Sequence, residues 1–106
     1  MKIDFSQQIK YVDGSVLNKR GQTSDASDPM TLGWCCVESL LATYVDEKAT
    51  GDEKARRYDL AMKIYSSGGL LDLPVDDVSY IKGLCDKFFS PLIVGQTRRM
   101  MEGDNK

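Results

Sequence analysis

From residue 31 onward the apolar side chains recur three or four positions apart, and that period leaves helices as the natural solution. In "TLGWCCVESLLATYV", residues 31–45, Leu32, Cys36 and Leu40 form one row, and Val37, Leu41 and Tyr44 form a second beside it. Thr31 suits the N-cap, where its hydroxyl can accept from a free amide of the first turn. Gly33 weakens that turn. "TGDE" at 50–53 is a capping box, with Thr50 and Glu53 each able to bond the other's backbone. The helix it opens runs to about residue 66. Its expected core side carries Tyr58, Ala61, Met62 and Tyr65, with Ala55 and Leu60 at the edges. Lys54, Arg56, Arg57, Asp59 and Lys63 are expected in water. Gly68-Gly69 is a stop signal.

A third helix is expected after Pro74, with Asp76 and Asp77 at the positive end of its dipole. Val78, Ile81, Cys85 and Phe88 repeat along it, beside Leu84 and Phe89. Leu70–Leu73 reads as a short extended segment. The fourth helix opens with Ser90 as N-cap and Pro91 in the first helical position. Its apolar residues come early, at Leu92, Ile93 and Val94, and return at Met100 and Met101; Gly95 would let another helix approach closely.

The stretch before residue 31 is different. "YVDGSVL" at 11–17 places Asp13-Gly14, a two-residue turn signal, between short apolar runs. Strands this short are marginal alone and need a packing partner, which the sequence does not name. "NKRGQTSDASDPM" at 18–30 reads as a flexible loop. The expected fold is therefore mainly α (α+β): a bundle of three to four helices with a short N-terminal β-hairpin. The chain forms one domain over 1–106, with the hairpin in 1–17, the loop in 18–30, the helical body in 31–102 and a tail at 103–106.

Composition narrows the function. The 106 residues contain no histidine, so the commonest general base and metal ligand are missing. Net charge is −2, against the basic surplus that a nucleic-acid binder uses to displace counterions. The opening residues hold no apolar stretch long enough for a signal peptide, and no run reaches membrane-spanning length. A cytoplasmic protein with reduced thiols is the expectation. Cys35 and Cys36 are neighbours on a helix and point about 100° apart, which does not suit one tetrahedral metal. With Cys85 they read as core cysteines. Asp72, Asp76 and Asp77 lack the spacing of a calcium loop. Arg98-Arg99 and Lys54-Arg56-Arg57 read as solvated helix faces. Neither phosphate-cradling glycine pattern occurs. Trp34 is expected in the core or at an interface. No catalytic or metal-binding set emerges, and no cofactor is expected.

The blocks "MKIDFSQ", "DG", "TLG" before a helix, "DEKARRYDLAMKIY", "DDVSYIKGL" and "SPLIVGQTRRMMEG", in that order, resemble a group of small tailed-phage and prophage proteins, mostly of unknown function. The resemblance covers most of the chain outside 18–30 and rests on order rather than on one motif. Members of the group carry Thr or Ser just before the third helix; Pro74 stands there in this chain, which bears on the local cap only. The resemblance implies a bacteriophage origin and a non-enzymatic role in the host bacterial cytosol.

The leading expectation is a protein-binding factor, chaperone-like or a minor factor in particle assembly. Its expected interaction surface lies on the last helix, at Leu92, Ile93, Gln96, Arg99 and Met100, with a homodimer as one form of association. The alternative is an inhibitor of a host enzyme or defence protein, with Asp25, Asp28, Asp72, Asp76 and Asp77 as an acidic patch. A small DNA-binding regulator ranks lower, because the fourth helix begins apolar where base contacts would lie.

Overall fold

The caps written in the sequence set the helix boundaries. In a computed structural model, residues 1–24, 27–45 and 47–102 are described; the expected tail at 103–106 and Asp25 of the acidic set lie outside them. The order is β1 (Lys2–Asp4), α1 (Leu32–Leu41), α2 (Gly51–Ser67), β2 (Leu70–Asp72), α3 (Val75–Phe88) and α4 (Pro91–Glu102). The Thr31 and Thr50 side chains accept from Trp34 N–H and Glu53 N–H, as capping requires. Gly68 closes α2 in the left-handed region, at φ 72°. Pro74 opens α3 without a side-chain cap, and the Ser90 carbonyl accepts the first amides of α4, from Ile93 and Val94.

Three expectations change. The first helix stops at Leu41 instead of reaching residue 45. Tyr44 folds back, and its hydroxyl donates to the Ser39 carbonyl at 2.6 Å, satisfying an acceptor of the last turn from outside the helix. α2 is turned relative to the expected face. Its buried residues are Arg57, Leu60, Ala61 and Ile64, while Tyr58, Met62 and Tyr65 are exposed. The reason is that Arg57 is neutralised in place: its guanidinium pairs with Glu47 and, at 3.7 Å, with Glu53, and its Nε donates to the Tyr80 hydroxyl at 2.7 Å. Phe88 is also exposed, standing edge-on to Tyr44 and Phe89 at the end of α3.

The main core joins Leu32, Cys36 and Leu40 of α1 to Leu60 and Ile64 of α2, to Ile81 and Cys85 of α3 and to Met101 of α4. The N-terminal segment is more than an appendage. Ile3 and Phe5 enter this core, and β1 pairs antiparallel with β2 in the register Lys2–Asp72, Ile3–Leu71, Asp4–Leu70. The expected hairpin is present at Lys10–Val16, with a three-residue loop in place of a two-residue turn. Tyr11 N–H donates to the Ser15 carbonyl, and Gly14 takes the left-handed position at φ 89°. Residues 7–10, 16–19 and 28–32 are then laced by single bridges, Gln8–Thr31 and Asn18–Pro29 among them. Ile9, Leu17, Met30 and Cys35 make a second, smaller core beneath these bridges.

Glycines separate into two kinds. A Cβ at Gly33 would lie 3.0 Å from the Phe5 carbonyl oxygen, which already accepts the Gly33 N–H at 2.8 Å. At Gly83 and Gly95 a Cβ would meet nothing within 4 Å, so the close helix approach expected at Gly95 does not occur. Gly83→Ala and Gly95→Ala should each stabilise the fold by about 0.5–1 kcal/mol through helix propensity. Gly33→Ala should reverse that sign, since overpacking of about 1–3 kcal/mol outweighs the same gain. Urea midpoints of the three variants at unchanged slope measure the difference.

Candidate functional site

The last helix is the expected interaction surface, and its five named residues divide by role. Leu92, Ile93 and Met100 are partly buried and pack against the second core. Gln96 is occupied: its Nε2 donates to the Lys10 carbonyl at 2.7 Å, and its Oε1 accepts from Lys10 N–H at 2.8 Å. The side-chain amide thus imitates a strand partner and pins the hairpin to α4. Arg99 alone of the five is exposed.

What remains accessible is the groove between the two elements. It has a volume of about 350 Å³ and is lined by Lys10, Tyr11 and Val12 from the hairpin and by Pro91, Leu92, Gly95, Gln96 and Arg99 from α4. Val12 is 82% exposed and Tyr11 48%. Sequence reasoning misses the hairpin wall; the one available signal is Tyr11-Val12 standing at a turn, where apolar side chains have no local partner. A second concavity of about 470 Å³ opens between α1, the C-terminal end of α2 and residues 28–31, with Trp34 and Tyr65 among its walls. Trp34 is partly buried and tilts against Phe89 at 6.4 Å between ring centroids.

The other singled-out residues take structural places. Cys35 belongs to the second core and Cys36 to the main one, as their divergence on the helix requires. Burial pushes the Cys35 thiol up to about 12. Cys36 is also raised, by its hydrogen bond to Cys85 and by burial, and lies 3.9 Å from the Met101 sulfur. Cys85 shifts the other way, because Cys36 and the Ser39 hydroxyl, at 3.4 Å, both bond it. The acidic set is dispersed and largely neutralised: Asp77 pairs with Arg56 at 2.8 Å, Asp28 with Lys19 at 3.3 Å, and Asp72 with the Met1 amino group at 3.0 Å. Arg98 is held by Asp86 at 2.6 Å and by Glu102 at 3.6 Å. Among the described residues no helix is long and apolar enough to cross a membrane.

No protein-family model, curated protein or solved structure matches the chain.

Two measurements check this assignment of roles. Native protein titrated with a disulfide reagent at pH 8 should react slowly at all three thiols, since each is buried and two are shifted upward; denaturant should expose three equivalents at once. Gln96→Ala should cost about 1–2 kcal/mol, chiefly the loss of its two hydrogen bonds to the Lys10 backbone. In that variant, hydrogen exchange at the Tyr11 and Leu17 amides should accelerate ahead of exchange in α1.

Proposed function

We propose that the protein is a non-enzymatic, phage-derived protein-binding factor of the bacterial cytosol, acting as a chaperone-like or minor factor in particle assembly. The observation that carries the reading is the groove between hairpin and α4. Its walls are fixed to each other by the paired Gln96–Lys10 bonds, so it exists before any partner arrives. It presents Tyr11, Val12, Leu92 and Arg99, and Tyr and Arg are the side chains that most often anchor protein interfaces. A preformed groove loses little conformational freedom on binding, which favours a short extended segment of a phage structural protein as the occupant. The phage assignment rests on the ordered sequence blocks and on nothing in the geometry.

The test is capture of tagged protein from phage-infected cells, with the bound proteins identified by mass spectrometry. The control is Val12→Asp/Arg99→Glu, two exposed positions that leave both cores intact. Wild-type protein should retain a phage structural protein, and the variant should lose it while melting at the same temperature. Retention of a single host enzyme or defence protein instead would replace this reading with the inhibitor. Equal retention by wild type and variant would move the binding surface elsewhere.

A further inference from the structure

α2 carries two apolar rows, and the fold uses one. Leu60, Ala61 and Ile64, with Arg57, face the core. Ala55, Tyr58, Met62 and Tyr65 lie on another face, centred about 130° away around the helix. All four are exposed, Tyr58 at 56%, Met62 at 46% and Tyr65 at 79%. The exposed row has spacings of three, four and three residues, the alternation of a and d positions in a coiled-coil seam.

The charges beside the seam identify what covers it. With Ala55 at a and Tyr58 at d, Lys54 falls at g and Asp59 at e. These two are five residues apart, the separation that pairs g of one helix with e of a parallel partner. The Lys54 and Asp59 side chains make no ion pair or hydrogen bond among the described residues, whereas Arg56 and Arg57 on the same helix are paired within the chain. Two copies packed with their α2 helices parallel would form the Lys54–Asp59 pair twice, once on each flank. An antiparallel seam over the same four residues would instead bring the two Asp59 side chains to one flank, a repulsive arrangement.

We infer that the exposed face of α2 is a self-association surface, on which a second copy of this chain packs with its own α2 parallel to the first. The surface shares no residue with the groove between hairpin and α4, so either can fail without the other. The charge pattern makes the test specific. Lys54→Glu sets a new carboxylate against Asp59 of the other copy in a homodimer, and Asp59→Lys sets a new ammonium group against Lys54. A mixture of the two variants places a like-charge pair on neither flank: one flank joins the two native side chains and the other joins the two introduced ones, each an opposite-charge pair.

Sedimentation velocity at low salt should show a wild-type dimer and about tenfold or more weakening in each single variant. Equimolar mixing of the single variants should restore the dimer, and so should the combined Lys54→Glu/Asp59→Lys chain. Both substitutions sit on the exposed helix surface and break no side-chain hydrogen bond or ion pair among the described residues. A wild-type protein that stays monomeric at high micromolar concentration overturns the inference. So does a dimer indifferent to both variants, or one that mixing fails to rescue.

Discussion

α1 is ten residues long and has to serve two cores at once. Leu32, Cys36 and Leu40 close the main core against the other three helices, while Cys35, with Trp34 beside it, closes the smaller one under the N-terminal bridges. Consecutive residues differ by about 100° in direction, so an adjacent pair is the shortest way for one helix to reach both sides. Cysteine suits this place because it is small, apolar in practice and free of branching that would crowd a short helix. The segment N-terminal to α1 is tied to it as well as to β2. Gly33 N–H donates to the Phe5 carbonyl, Leu32 N–H donates to the Gln7 carbonyl, and the hairpin above is tied to α4 through Gln96.

The parts of this arrangement that were legible in the sequence are those governed by local chemistry. Thr31 and Thr50 cap where their hydroxyls precede a helical run, Gly68 stops a helix where a left-handed residue is needed, and Pro91 starts one. The Leu32, Cys36 and Leu40 row of α1 and most of α3 followed from periodicity, whereas the second expected row is broken, because α1 ends at an exposed Leu41 and Tyr44 lies beyond it. What escaped were decisions taken between distant segments. α2 has two apolar rows of similar quality, and periodicity cannot choose between them. The choice is made by Glu47, which accompanies Arg57 inside, and by Tyr80, which accepts its Nε–H. Burial alone would lower the Arg57 pKa, but its bonds to Tyr80 and Glu47 outweigh that and hold the charge more firmly than in water. A buried charge of this kind is tolerated only with its partners in place.

The candidate groove shows the same division. Of its α4 wall, Leu92, Gln96 and Arg99 were among the residues singled out in the sequence, but the hairpin wall was not, because nothing local shows that the Lys10 backbone will find Gln96, eighty-six residues away. The pairing of β1 with β2 was hidden for the same reason: Lys2–Asp4 is three residues long and is held by Leu70–Asp72 and by the burial of Ile3 in the main core, both across the fold.

The composition of the exposed row on α2 bears on how a seam of this kind coexists with a folded monomer. Two of its four members are tyrosines, whose rings offer apolar area while their hydroxyls stay hydrated, and Met62 is flexible enough to adapt to either state. Leucine or isoleucine in those places would make a permanent oligomer or an aggregation hazard. Tyr58 and Tyr65 instead set the cost of exposure low, so association is governed by concentration and by the flanking charges. A chain whose second apolar face is built this way can fold by itself through α1 and its two cores, and can then pair through α2 without refolding any part of them.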